Sequence, residues 1–413
     1  MKRLQDFNPM KTLCILLVFC IPLQTRAQEI GKKNNADFIL GNGLNFSFNQ
    51  GKYQFNLGGF IQPSFLYEKE SGAEDGNEFN AKRSFLQFSG KAEKEKVSFL
   101  FQLDYSLSEP LLDAWLAYHP SKSMTITVGQ KQSFVNNREM TYREDRLQFN
   151  NRSFLSQNLS NTGREFGLFL DAKFGKNFGI VPMLALTSGD GRNSFGSDAR
   201  DSDLGGVKIG GRLDLYPLGY FKQGNDLTST DLEREENIKF VLGMAASQNN
   251  GASSASGEGH GDFLLYEVDG NTSLPDYAQI YADFLLKYQG FSVLAEYANT
   301  SASNIDQAYL DANGAQILAP QQISEFLYLG DSFNVQAGYV TLGGLSFDAR
   351  YESASPEFES NASSRLQDMN AFTFGVSKYF QNNSLKVQAA YTSMNPSIGN
   401  EISQFEVLFQ IAF

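Results

Sequence analysis

The sequence predicts an all-β protein, a transmembrane antiparallel β-barrel of about 16 strands behind a cleaved signal peptide. Three observations predict it. Apolar and polar side chains alternate with period 2 through most of the chain, in segments of about 9–15 residues where soluble sheets use about 5–6. After residue 27 no run of about 18 apolar residues occurs, so any membrane crossing has to be made by strands rather than helices. The connectors between segments fall into a short set and a long set, as turns on one rim and loops on the other.

The leader comes first. Met1-Lys2-Arg3 and Lys11 precede an apolar stretch from Leu13 to Leu23, then Thr25-Arg26-Ala27-Gln28. A basic start, a short apolar region and a small residue describe a secretory signal peptide over 1–27, cut after Ala27. Phe19 before Cys20 is too large for a lipid-attachment site. Both cysteines, Cys14 and Cys20, lie in this leader, so the exported part has none, which excludes disulfides, thiolate metal sites and cysteine nucleophiles. The leader carries Lys2, Arg3, Lys11 and Arg26 against Asp6, so the remainder is more acidic than the whole chain's −12, at −15. Such an acidic exported chain is a poor nucleic-acid ligand. Residues 28–50 read as an N-terminal lead-in and 51–413 as the barrel.

Tyr53 to Tyr67 shows the alternation. Tyr53, Phe55, Leu57, Ile61 and Phe65 lie on one face, and Gln54, Asn56, Phe60, Gln62 and Ser64 on the other. Sixteen such segments follow at 51–67, 79–91, 95–107, 111–119, 123–131, 163–174, 177–188, 206–216, 236–248, 276–288, 290–300, 330–340, 343–353, 369–380, 383–395 and 401–413. The number is even, as single-chain bacterial barrels require. The connectors at 108–110 and 217–235 break the short–long alternation, the first short where a loop is due and the second long where a turn is due. In the last segment Phe405, Val407, Phe409, Ile411 and Phe413 share one face. A soluble sheet would not leave such a row on an open edge.

Residues 51–190 carry a series of short motifs: Lys52-Tyr53-Gln54-Phe55-Asn56-Leu57-Gly58-Gly59-Phe60-Ile61-Gln62, Lys82-Arg83-Ser84-Phe85-Leu86 with Ser89-Gly90, Asp113-Ala114-Trp115-Leu116-Ala117-Tyr118, Val128-Gly129-Gln130-Lys131-Gln132-Ser133-Phe134 and Gly163-Arg164-Glu165-Phe166-Gly167. In order and spacing they resemble the phosphate-selective porin O and P family. The resemblance implies a sixteen-stranded trimeric porin whose pore is lined by basic residues. Phe60 stands where the family places a pore arginine, and Lys82-Arg83 where it has paired arginines.

The segment 132–162 is the third connector on the loop rim and is expected to fold inward. It holds Arg138, Arg143, Arg146 and Arg152 against Glu139, Glu144 and Asp145, with Arg164 just beyond it. Clustered arginines in a pore favour anions. Strand phase turns Arg83 and Lys131 toward the lumen as well. The candidate pore-lining and anion-contacting residues are therefore Arg83, Lys131, Arg138, Arg143, Arg146, Arg152 and Arg164. Phase also turns Lys208, Arg212, Lys239, Lys287, Arg350 and Lys386 inward, with Asp104, Asp113, Asp171, Asp214, Asp283, Glu296, Asp348 and Glu406. The lumen is thus mixed in sign. The acidic loop Asp190 to Asp203 lacks the glutamate that an EF-hand needs and reads as a solvated loop.

No catalytic constellation is visible. The chain has two histidines, His119 before Pro120 in an expected turn and His260 in a Gly/Ser-rich loop. An outer-membrane lipase would pair a serine with a barrel-wall histidine. The expectation is no enzyme, no cofactor and no metal. The chain should be a channel in the outer membrane of a Gram-negative bacterium, embedded in its lipid, that passes small anions or other small solutes by passive diffusion. The alternatives are a cation-preferring general porin, or a structural or adhesive barrel that transports nothing.

Overall fold

The computed structural model describes residues 34–159, 163–193, 206–259, 261–359 and 361–413. The leader with its cut site, Asp198, Asp201 and Asp203 of the acidic loop, and His260 lie outside the described residues.

A hairpin of β1 (Asn35–Ile39) and β2 (Gly43–Phe48) precedes the long strands β3 (Tyr53–Glu70), β4 (Gly76–Ala92), β5 (Val97–Asp104), β6 (Leu111–Ser121), β7 (Met124–Gln132), β8 (Arg164–Ala172), β9 (Gly179–Thr187) and β10 (Lys208–Tyr216). Then come β11 (Lys239–Asn250), β12 (Asp276–Tyr288), β13 (Phe291–Ser303), β14 (Gly330–Val340), β15 (Leu345–Pro356), β16 (Met369–Gln381), β17 (Leu385–Pro396) and β18 (Ile402–Ala412). Each of the sixteen segments read from the sequence is one of β3 to β18. Every strand pairs antiparallel with the next, and β18 returns to β3, Ile402 opposite Glu70 and Ala412 opposite Phe60. The result is a closed sixteen-stranded barrel with no free edge among these strands, which resolves the backbone donors and acceptors that a lipid environment cannot satisfy.

Within 28–50, expected as a lead-in, the chain forms the hairpin β1–β2. β2 pairs with the first part of β3, from Leu44 opposite Leu57 to Phe48 opposite Tyr53, so it continues the wall where β18 ends. The Phe413 N–H donates to Gly59 O (2.8 Å) and the Gly59 N–H to Phe413 O (2.7 Å), closing the seam between them. Gly43 sits at φ +76°, and a Cβ there would lie 2.2 Å from Leu57 O, so only glycine lets the turn lie this close to β3.

Alternation sorts the side chains. Leu184, Ile209, Met244, Phe347, Phe374, Phe405 and Phe409 face outward and are exposed. Their neighbours in sequence face a buried, polar interior: Arg212, Asp214, Asp283, Lys287, Glu296, Arg350, Lys386 and Glu406 are each 6% exposed or less. This is the lipid-facing and lumen-facing split of a transmembrane barrel. No described helix is long and apolar enough to cross a membrane.

The two irregular connectors are real features, and the strand count stands. On the loop rim, β5 and β6 are joined by only 105–110. On the rim of short turns, 217–238 between β10 and β11 is long because it folds back into the lumen. His119 also differs from its expected place. It belongs to β6, and its Nε2 lies 2.8 Å from Ser98 Oγ on β5.

Candidate functional site: the lumen constriction

Two segments enter the barrel from opposite rims and meet inside it. The first is 133–159, from the loop between β7 and β8, with single 3-10 turns at Glu139–Thr141 and Glu144–Arg146 and the short helix α1 (Phe154–Leu159). The second is the inserted turn 217–238.

The loop is held by charge. Arg138 pairs with Asp283 (2.6 Å) and Asp214 (2.9 Å), while Arg212 pairs with the same two carboxylates (2.6 and 2.9 Å). Asp214, Gly243 and Asp283 stand in register on β10, β11 and β12. A Cβ on Gly243 would come within 2.2 Å of Arg212 Nη2 and 2.3 Å of Asp283 Oδ1, so the glycine makes room for the four charges. Further along, Glu139 pairs with Arg350 of β15 (2.7 Å) and accepts from Ser153 N and Ser156 Oγ. Glu144 receives both Arg152 and Arg164 (3.0 Å each), and Arg164 also contacts Asp113 (3.2 Å).

Residues 143–152 then cross the lumen against β3, β4, β17 and β18. Gln62 Nε2 donates to Glu144 O (3.3 Å) and to Gln410 Oε1 (2.6 Å), and Gln410 Nε2 donates to Asp145 O (3.1 Å). Lys386 Nζ donates to Leu147 O (3.1 Å), Gln388 Nε2 to Gln148 O (2.8 Å) and Asn150 Nδ2 to Glu406 O (2.9 Å). Backbone carbonyls of the loop are thus tied directly to the wall.

The inserted turn meets this crossing from the other side. Thr228 Oγ1 donates to Arg146 O (2.7 Å) and Ser229 Oγ to Gln148 Oε1 (2.9 Å). Its base is pinned by the buried Lys287 of β12, whose ammonium donates to the main-chain carbonyls of Asn225, Thr228 (2.8 Å) and Thr230 (2.8 Å). Asp231 accepts from Gly290 N (2.7 Å).

On the loop-rim side of the crossing lies a cavity of about 350 Å³, with a narrow extension of about 20 Å³ below it between Phe149, Asn150 and Arg350. On the short-turn side lies a polar cavity of about 250 Å³ lined by Arg143, Asp145, Arg146, Asn225 and Thr228. The crossing separates the two.

The seven candidate cations have different surroundings. Arg138, Arg152 and Arg164 are buried in the ion pairs above. Arg143 is held by Asp145 through two bonds of 2.6 Å, donates to Gln87 and lies over the Phe60 ring (5.7 Å). Phe60 itself faces the lumen, buried and stacked on Phe85 (4.3 Å). Arg83 donates to Gln62 Oε1 (2.9 Å) and Asn150 O (3.2 Å). Lys131 sits between the Phe134 and Phe169 rings (5.2 and 5.1 Å). The Arg146 guanidinium makes no hydrogen bond among the described residues and lines the 250 Å³ cavity. Sequence phase identified the inward direction of the wall charges. It missed the neutralising partners, which lie far away in sequence, and it missed Lys287 and the glutamines 62, 388 and 410 as fasteners.

The loop carboxylates are locked in their charged form. Burial pushes Glu144 up, but Arg164 and Arg152 outweigh it and hold the carboxyl well below the usual range. Burial likewise opposes Asp145, and Arg143 outweighs it. A depressed folded pKa contributes stability that is complete above the unfolded value and is lost as pH falls through the folded one. Melting in detergent should therefore hold from about pH 8 to about pH 5 as far as these groups decide it. It should fall only when pH drops below the ordinary value of 4.5. A loss confined to the range above pH 5 would contradict this.

No family model matches the chain, and no curated protein matches it. The resemblance of 51–190 to the phosphate-selective porins therefore gains no support from either comparison. Solved structures do match. The outer membrane channel DcaP of Acinetobacter baumannii superposes with a TM-score of 0.53 at 13% identity, over 88% of this chain and 98% of that one. A loop L8 deletion mutant of OmpT, an outer membrane protein of Vibrio cholerae, gives 0.51 at 9% identity, over 88% and 100%. OmpT expressed in the outer membrane gives 0.50 at 8%, over 87% and 98%. At such identity the likeness is one of fold. That fold, a closed sixteen-stranded barrel with an apolar outside and a polar inside, places the chain in the bacterial outer membrane.

Proposed function

We propose that the chain is an outer-membrane porin, a channel for passive diffusion of small solutes with a modest anion preference. The carrying observation is the charge at the crossing. Arg83, Arg143, Arg146 and Lys386 all lie on or against residues 143–150, and with Arg152, Arg164 and Lys82 they outnumber the carboxylates there, which are Glu144, shared by two arginines, Asp145, Asp348, bonded to Gln148, and Glu406, paired with Lys82. The net −12 of the whole chain acts over the surface and is screened within about 8–10 Å at physiological salt, whereas charges in a narrow path act at contact range. The fold likeness to a protein named as an outer membrane channel agrees with a transport role. A trimeric assembly, as implied by the resemblance in 51–190, belongs to the same reading.

The filled lumen favours one refinement. Both segments are fastened in place, so the conformation seen is a closed or narrow one. In planar bilayers the protein should give small stepwise conductance. A potassium chloride gradient should give a reversal potential of anion-selective sign, and R143Q together with R146Q should move it toward zero. A cation-selective sign in the wild type overturns the anion preference. Absence of any conductance favours a structural or adhesive barrel.

A further inference from the structure

The 350 Å³ cavity above the crossing is lined by charges of both signs together with an apolar wall. Lys82 of β4 and Glu352 of β15 face it across the lumen. Each has hydrogen-bonding capacity left over. The Lys82 ammonium has three donors, and its contacts among the described residues are to one group, the Glu406 carboxylate at 2.6 and 2.7 Å. Glu352 is buried, and its Oε1 accepts the Phe154 N–H while its Oε2 takes no hydrogen bond among the described residues. Arg350 and Arg152 also line the cavity, but Glu139, Glu144 and main-chain carbonyls already occupy their N–H groups. Phe154, Met369 and Met394 supply an apolar wall on the β15–β17 side.

We propose that this cavity binds a zwitterionic solute of amino-acid or dipeptide size, with its ammonium on Glu352, its carboxylate on Lys82 and an apolar side chain against Phe154, Met369 and Met394. A simple anion entering here meets Glu352 and Glu406. A simple cation meets Lys82, Arg152 and Arg350. A neutral sugar brings no cation to Glu352 and no anion to the donor that Lys82 has left over beside Glu406, so Glu352 is dehydrated without a counter-charge, which costs free energy in a water-poor site. A zwitterion answers both. The site sits on the loop-rim side, before the constriction, where a solute is captured ahead of passage. It deepens the channel reading and rests on it for its purpose, though binding itself is measured independently of conduction.

The test is titration calorimetry on detergent-solubilised full-length protein with leucyl-leucine as the probe. Saturable binding is expected. N-acetylation or C-terminal amidation of the dipeptide should weaken it about 10–100-fold, the size of losing a hydrogen bond to a charged group. E352Q should weaken the free dipeptide by a similar factor and leave the N-acetylated form unchanged. The acetylated and amidated probes on wild-type protein keep the test valid if the variant fails to fold. No saturable binding, equal affinity for acetylated dipeptide, or equal affinity for maltose overturns the proposal. Bilayer conductance measured on the same preparation reports separately on whether the protein is a channel.

Discussion

Replacing residues 217–238 with a two-residue turn should raise single-channel conductance several-fold. The inserted turn occupies the short-turn half of the lumen and braces the crossing loop at Arg146 O and Gln148. Its removal vacates volume that water refills, and it frees one side of the loop. The cost to the fold should be small even though Lys287 loses its three carbonyls. A buried charge stripped of its partners costs about 3–5 kcal/mol when it stays dry, but here the vacated space becomes lumen water, which solvates the ammonium. K287M with the turn intact is the complementary case. It removes a charged donor that serves three main-chain carbonyls and Asn225 Oδ1, at about 1.5–3 kcal/mol for each hydrogen bond to a charged group, and leaves the carbonyls unmatched in place. The turn should then loosen and the open state should be visited intermittently, seen as flickering current. Unchanged conductance in the truncated protein would assign closure to residues 143–152 alone.

The sixteen strands were legible because a barrel wall demands strict period-2 alternation, and Phe405, Val407, Phe409 and Ile411 can face outward only in one register. The inward direction of Arg212, Lys287 and Arg350 followed from the same phase. The hairpin β1–β2 was less legible, although Asn42-Gly43 between Phe38-Ile39-Leu40 and Leu44-Asn45-Phe46 is a strong short-range hairpin signal. Its strands were too short to stand out beside those of the barrel. The long connector 217–235 was visible as an anomaly, but nothing local could reveal that it turns inward. That depends on Lys287, some 60 residues away. The arginines of the crossing loop were legible as a cluster. Their neutralisation was not, because Asp214, Asp283, Arg350 and Asp113 reach them only once the barrel closes.

That closure makes the cluster of Arg138, Arg212, Asp214 and Asp283 the place where a single change should cost most. D283N keeps the shape and removes one charge, leaving two guanidiniums about Asp214 in a site where Asp283 and Arg212 are almost wholly buried. Breaking a buried pair by removing one partner costs about 3–5 kcal/mol, because the remaining charge is uncompensated. Unfolding in detergent, followed by denaturant, should show that loss, and bilayer currents should become noisier as Arg138 lets go of the wall. Replacing all four residues with leucine should cost less than D283N. Desolvation of the charges then vanishes along with their attraction, and the two roughly offset. G243A acts on the same point by sterics, since its methyl group would meet Arg212, Asp283 and Arg138 at once. If D283N shifts stability by less than about 0.5 kcal/mol, the usual size for a surface substitution, then lumen water reaches the cluster and screens it. The loop would then be held by the hydrogen bonds of Gln62, Gln388 and Gln410, and the quadruple leucine variant would be the more damaging of the two.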